Sequence, residues 1–173
     1  MATAWSRDFV TRTGFHFHVR SARPSDEAAL GAFFTHVSPE DLRFRFLTGL
    51  KTVGHDQIAA MTSIDHQRTE NFLAFEDGGT DILATAMLAC DDALSTGEIA
   101  IAIRSDYKAR GISWDLLAHV ADYAEAKGLS TIQSIESNDN HAAIDMERQM
   151  GFVAEPYPGD ATLVLVKRQL QRR

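Results

Sequence analysis

The stretch that most constrains the fold of this chain covers residues 98–128 and is typical of a strand, a loop and a helix. Its first six residues, EIAIAI, are rich in β-branched side chains, which favours a buried strand. From Ser113 the apolar residues recur at helical spacing up to Gly128, and glycine commonly follows the last turn of a helix. The intervening loop is polar and carries two cations, Lys108 and Arg110.

A cationic loop that enters a helix is suited to hold a phosphate group. The first N–H groups of a helix have no partner within the helix and point outward, and the helix dipole adds positive potential. We therefore expect residues 108–113 to bind an anion, and the alternative is an ordinary turn between a strand and a helix.

The rest of the chain predicts one domain over residues 1–173, with a core at about 17–167. A strand is followed by two helices that begin near Ser25 and Ser38, and then by a meander of three antiparallel strands that ends with residues 98–103. After the central helix, the pattern predicts a strand, a helix and two closing strands.

Composition excludes several classes of protein. The formal net charge of -7 argues against a general nucleic-acid or membrane-surface binder, although a local cationic cluster suffices for an anionic cofactor. The single cysteine, Cys90, excludes an internal disulfide and is expected to be a core residue. His16 and His18 share a strand face without a third ligand nearby, so no metal site is expected. No apolar run has transmembrane length and no signal peptide is recognisable, which predicts a cytoplasmic protein.

The loop KARGIS resembles the Q/R-x-x-G-x-G/A loop of the GNAT N-acetyltransferases, which holds the pyrophosphate of coenzyme A. Lys108 stands where Gln or Arg is usual, Gly111 matches the central glycine, and Ser113 replaces the final Gly or Ala. The resemblance implies acetyl-CoA as cosubstrate, without a metal. The expected contacts are Ile101, Ala102, Ile103, Lys108, Ala109, Arg110, Gly111, Ile112, Ser113 and Asn140.

The order of the elements also resembles this family. It implies an α/β (α+β) GNAT acyl-CoA N-acyltransferase fold, with a mixed, mostly antiparallel sheet of six to seven strands flanked by about four helices. Asn140 precedes Gly151-Phe152 by eleven residues, which is similar to the N…GF pattern of the family. Its side chain either contacts the cofactor or caps the helix that follows.

A narrower resemblance concerns the Pat-type bacterial protein-lysine acetyltransferases. The segment VSPEDLRFRF at 37–46 is similar to their LSPES-x-x-x-RF segment, and EIAI at 98–101 is similar to their AEFA strand. The resemblance implies Glu98 as the general base, and the alternative is a surface glutamate. Backbone N–H groups at 101–103 would stabilise the oxyanion. Some GNAT enzymes place a tyrosine acid where this chain has Glu147, which leaves a water, Tyr107 or no acid at all for the departing thiolate.

The predicted function is transfer of an acetyl group from acetyl-CoA to a primary amine. A protein lysine is favoured over a small-molecule amine by the Pat-like segments, and the acidic chain suits a cationic acceptor of either kind. A catalytically degenerate domain that senses acyl-CoA is the alternative from another class. The acceptor site is expected within about 30–62 and 154–162, and a homodimer is compatible with the resemblance.

Overall fold

A mixed sheet of eight strands, in the order β1-β2-β3-β4-β5-β6-β8-β7, runs through the computed structural model, which describes residues 5–47 and 53–171. Neighbouring strands are antiparallel, except for the parallel pair β5–β6. The strands are β1 (Arg7–Val10), β2 (His16–Ser21), β3 (Thr69–Glu76), β4 (Ile82–Cys90), β5 (Thr96–Ile103), β6 (Thr131–Ser137), β7 (Val153–Pro156) and β8 (Leu163–Gln169).

Helices cover both faces of this sheet. One face packs on α4 and the partly buried methionines of α5, and the other on α1, α2 and α3. Among the described residues, none of the helices is long and apolar enough to cross a membrane. The helices are α1 (Glu27–Phe34), α2 (Pro39–Phe46), α3 (His55–Thr62), α4 (Ile112–Lys127) and α5 (His141–Gln149).

The predicted α/β class and the mostly antiparallel mixed sheet are confirmed. The sheet has one strand more than the upper number expected, because β1 adds to its edge beside β2. This four-residue strand is mostly exposed, so its sequence carries no apolar alternation that could reveal it. The ends of the predicted domain, residues 1–4 and 172–173, and part of the expected acceptor segment, residues 48–52, lie outside the described residues.

The two helix starts predicted near Ser25 and Ser38 have different outcomes. Ser38 caps α2 as predicted, because its Oγ accepts a hydrogen bond from the Asp41 N–H at 3.1 Å. Ser25 lies instead within a short 3-10 turn, and α1 begins at Glu27. The buried Asp26 takes the structural role there, since its carboxylate accepts from the Arg23 N–H and from both terminal nitrogens of Arg20.

Gly97, near the start of β5, occupies the tightest glycine position in the described chain. A Cβ atom there would lie 2.5 Å from Cδ1 of Leu88 and 3.0 Å from Cδ1 of Leu129. Both leucines are fully buried, so they have little room to move away.

We expect Gly97→Ala to lower the free energy of unfolding by about 1–3 kcal/mol, because overpacking a close-packed core forces side chains off their preferred rotamers. Gly31→Ala is the matched control. Its new Cβ would meet only Cδ1 of Ile58, at an ordinary 3.4 Å, and alanine favours the helix by about 0.5–1 kcal/mol. Urea unfolding of both variants measures the difference, and equal stability of the two would contradict the packing argument.

Candidate active site

The strands β5 and β6 lie side by side only at their starts. Three residue pairs join them: Thr96 with Thr131, Gly97 with Ile132, and Glu98 with Gln133. Beyond these pairs β5 remains bonded to β4, while β6 remains bonded to β8. The two strands therefore diverge, and the backbone on the facing edge of β5 is left without a strand partner.

A cavity of about 360 Å³ lies along this gap, a size that suits a small-molecule or cofactor site. Its walls come from β5, β6, the loop before α4, the start of α4, one side of α5 and part of α2. The cavity thus connects the predicted phosphate loop with the interior of the sheet.

The loop before α4 has the backbone geometry of an anion site. Ala109 and Gly111 both have left-handed conformations, with φ of 64° and 88°. Such residues turn successive N–H groups into a shared concavity that favours an anion. Gly111 immediately precedes α4, so the outward N–H groups of the helix begin at the same place. A Cβ at Gly111 would also lie 3.2 Å from the Cβ of Thr11, which is a second reason for glycine here.

Most of the predicted cofactor contacts lie in the cavity wall. The exception is Arg110, which is exposed and stacks its guanidinium 4.5 Å from the ring centre of Tyr107. The residues in the wall are Ile101, Ala102, Ile103, Lys108, Ala109, Gly111, Ile112, Ser113 and Asn140.

Lys108 joins the loop to α2. Its Nζ donates a hydrogen bond to Oδ2 of Asp41 at 2.7 Å, and the lysine side chain is half exposed. Asp41 was not predicted as a site residue. Its position after Ser38 was already explained by the first turn of α2, where the helix dipole favours an acidic side chain.

Asn140 is at the N-cap position of α5, but its side chain makes no capping hydrogen bond. Its Nδ2 instead donates to Oε2 of Glu136 at 3.1 Å, inside the cavity wall. The Asn140 side chain therefore does not cap α5, and its contact with the cofactor stays a prediction.

Glu98 does not line the cavity itself. It is exposed on β5 and alternates with the buried Ile99, so it shares a face with Ala102, which packs in the core beneath α1, α2 and α3. A nearby cation is Arg45 of α2: burial lowers the pKa of its guanidinium, and the negative charge of Glu98 offsets part of that lowering.

Arg45 is a cavity residue that the sequence did not reveal. Among the described residues its Nε has no hydrogen-bond partner, and its Nη2 contacts the sulfur atoms of Met61 and Met87, at 3.8 and 3.7 Å. Burial lowers the pKa of Arg45 to about 10, so the guanidinium is still cationic at neutral pH. The Pat-like segment contained this arginine, but nothing in its spacing indicated that it would be buried beside a cavity.

Two further cavity residues that the sequence analysis did not assign are Glu136 of β6 and Glu147 of α5. Burial raises the pKa of Glu136, and hydrogen bonds from Ser134, Glu147 and Asn140 oppose that shift. Burial and then the negative charge of Glu136 raise the pKa of Glu147 to about 9. The sequence did contain one signal for Glu147. It lies four residues before Gly151, the position at which the family resemblance implies a tyrosine acid in some enzymes.

The remaining candidate groups lie elsewhere or are already engaged. Tyr107 lines the cavity, but its hydroxyl donates to Oε2 of Glu76 at 3.1 Å, and burial followed by that contact raises its pKa. Cys90 is half-buried at the end of β4, and burial raises the pKa of its thiol. His18 pairs with Asp8 at 2.7 Å. Within residues 5–47 and 53–171, no cluster of three potential metal ligands is present.

The arrangement suits a long ligand with a phosphate at one end. The loop at residues 108–113 supplies N–H groups and a cation, the edge of β5 that β6 leaves supplies further N–H groups, and the wall beyond carries carboxyl side chains. Coenzyme A has this form, and the residues present fit it: its pyrophosphate end suits the loop, and its pantetheine arm suits the gap between the strands.

Comparison with known proteins identifies the GNAT family, the one that the loop and the order of elements resemble. Residues 37–152 match the family model described as "Acetyltransferase (GNAT) family". The chain is 29% identical over 154 residues to acetyltransferase PA5475 of Pseudomonas aeruginosa, covering 88% of this chain and 83% of the relative.

Solved structures match the fold over nearly the whole chain. The GNAT domain of S. lividans PAT has a TM-score of 0.91 at 21% identity, covering 98% of this chain and 99% of that one. The spermidine N-acetyltransferase of Vibrio cholerae, solved with CoA and spermine, has a TM-score of 0.72 at 14% identity, covering 88% and 95%. The expected GNAT fold is thereby confirmed. The chain belongs to the GNAT family, and it is an acetyl-CoA-dependent N-acetyltransferase.

Proposed function

We propose that this chain transfers the acetyl group of acetyl-CoA directly to a primary amine, with a protein lysine as the preferred acceptor and Glu98 as the general base. The observation that carries the proposal is the continuous cavity between the phosphate loop and the diverging strands β5 and β6. A ligand held by its phosphates at the loop has its far end beside β5, where the acceptor must approach.

The choice of acceptor rests on sequence and charge. The segment at 37–46 resembles that of Pat-type lysine acetyltransferases, and the net charge of -7 favours a cationic acceptor. The fold does not separate the acceptor classes, because the matched structures include an enzyme named for spermidine.

The need for a base follows from the chemistry of the acceptor. A lysine amine has a pKa of about 10.4, so nearly all of it is protonated and unable to attack at neutral pH. Glu98 lies on the α1–α3 side of β5, at the point where the gap between β5 and β6 opens. Because Glu98 is outside the cavity wall, its proton transfer is proposed to run through water. Arg45 provides a nearby positive charge.

The phosphate role of the loop is tested by Lys108→Glu. We expect acetyl-CoA affinity to fall about 10- to 100-fold, as a charge-assisted hydrogen bond is worth about 1.5–3 kcal/mol. Lys127→Glu, at the other end of α4, is the matched control and should bind normally. Calorimetric titration gives both constants, and equal affinity of the two variants would remove Lys108 from the site.

The acceptor is tested with a panel of amines: a lysine peptide, a peptide with only an α-amine, and spermidine. We expect the lysine peptide to have the highest kcat/KM for CoA release. Faster reaction with spermidine would indicate a small-molecule enzyme. Binding of acetyl-CoA without release to any amine would indicate a sensor domain, and absence of binding would overturn both functions.

The base is tested by Glu98→Gln. We expect unchanged acetyl-CoA affinity and a turnover about 10²- to 10⁴-fold lower at neutral pH, the usual contribution of a general base. The deficit should shrink as the pH approaches the pKa of the amine, since the acceptor then deprotonates by itself. The control is Glu155→Gln, which changes an exposed glutamate paired with Lys167. If Glu98→Gln keeps the neutral rate of that control, Glu98 is not the base.

A further inference from the structure

The inner wall of the cavity contains a carboxyl group that the reaction described so far does not use. Glu147 is only 4% exposed and lines the cavity, and its Oε1 has no hydrogen-bond partner in the part of the chain that the structure describes. A buried polar atom without a partner is costly, so its retention at a ligand cavity calls for an explanation.

The neighbouring Glu136 is held quite differently. The Ser134 hydroxyl donates to its Oε1, and the Asn140 amide donates to its Oε2 at 3.1 Å. Donors on both oxygens favour the ionised form of Glu136. Two adjacent buried carboxyls do not both ionise readily. Burial, the charge of Glu136 and a hydrogen bond with Glu136 raise the pKa of Glu147 and outweigh the lowering by a hydrogen bond with Ser134, so the proton belongs on Glu147.

The electrostatic surroundings agree with this assignment. Burial is the largest cause of the raised pKa of Glu147, and the charge of Glu136 is the next. The other charged groups of the cavity wall are Asp41, Arg45 and Lys108, and Tyr107 is its other titratable residue. On α5 itself His141, Asp145 and Arg148 are exposed, and on β7, which packs against α5, Glu155 pairs with Lys167.

The position of Glu147 in the cavity is also defined. Asn140, Ala143 and Glu147 follow each other at helical spacing and form one side of α5 that faces the gap. The opposite wall is the free edge of β5. A cofactor fixed by its phosphates at residues 108–113 must extend along this gap, so its sulfur end lies towards the carboxyl pair.

We propose that Glu147 is the general acid of the acetyl transfer and donates its proton to the sulfur of departing CoA, with Glu136 as the positioning residue. This inference rests on the proposed function. The acceptor nitrogen forms a bond to the acetyl carbon, the carbon–sulfur bond breaks, and the electron pair of that bond stays on sulfur. The proton of Glu147 moves to sulfur. The protonated amine passes one proton through Glu98 to water before the attack, the new amide nitrogen passes a second by the same route, and exchange with water restores both carboxyl groups.

The proton affinities of donor and acceptor are well matched. An ordinary thiol has a pKa of about 8.5, close to the value of about 9 for Glu147. General acids work best when such values lie near each other and near the working pH. An unshifted glutamic acid would already have lost its proton at neutral pH.

The first test is the pH profile of Glu147→Gln, with an acceptor whose amine has a pKa of about 8, as peptide α-amines have. The unaltered protein should lose activity above about pH 9, the alkaline limb of its profile. Glu147→Gln should lack this limb and turn over about 10²-fold more slowly at neutral pH, with unchanged acetyl-CoA affinity. Glu136→Gln should keep the limb but move it to lower pH, because removing the negative charge lowers the pKa of Glu147.

The second test needs no turnover. Carbon-13 NMR of the protein labelled at its glutamate carboxyls should show one resonance that titrates near pH 9 and is absent in Glu147→Gln. Because Glu147 keeps its proton only in the folded state, stability should fall as pH rises from about 5 to about 9. The melting temperature of the unaltered protein should therefore fall over this pH range, and that of Glu147→Gln should not show this fall.

The outcomes separate the two proposals. If the unaltered protein releases CoA to no amine, the proposed function fails. If it is active and Glu147→Gln retains the same rate and the same alkaline limb, only the role of Glu147 fails. Absence of any glutamate carboxyl that titrates between pH 7 and 10 would also overturn the inference, whatever the fold stability of the variants.

Discussion

The short parallel ladder between β5 and β6 is the constraint on which the site depends. Hydrogen bonding along a sheet normally continues while both strands last, but here it ends after three residue pairs. β6 stays in the sheet because β8 pairs with its whole length, and β5 stays because β4 pairs with it. The separation therefore costs few strand hydrogen bonds, and it creates a cavity with a free backbone edge in the middle of a stable sheet.

The sequence predicted what is local in this arrangement. The entry from the loop at residues 108–113 into α4 and the N-cap at Ser38 follow from residue types within a few positions, so their patterns were sufficient. The sequence pattern could not reveal the part of the cavity wall that α2, β6 and α5 contribute. Arg45 is buried beside Met61 and Met87, and Glu136 lies near Glu147, only because distant elements meet in the fold. β1 was missed for a related reason, since its pairing with β2, rather than its own apolar content, makes it a strand.

The carboxyl pair shows where the chain departs from what stability alone would favour. An apolar side chain in place of Glu147 would avoid the desolvation of a carboxyl and leave no unpaired oxygen at the cavity. Hydrogen bonds to both oxygens of Glu136 offset part of the cost of burying it, whereas burial and the charge of Glu136 together raise the pKa of Glu147. Local violations of this kind are expected where a site needs a group in an unusual protonation state.

The alternation of side chains along β5 then gives the two proposed proton transfers separate routes. Glu98 lies on the face covered by α1, α2 and α3, whereas Ile99 packs in the core beneath α4, the core against which Met146 of α5 also packs. A base and an acid in direct contact would neutralise each other before any substrate arrived. Placing them on opposite faces of one strand allows the amine to lose its proton on one side while sulfur receives a different proton on the other. With these proposed roles, β5 separates the two proton transfers, and the thioester bond that breaks lies along its free edge.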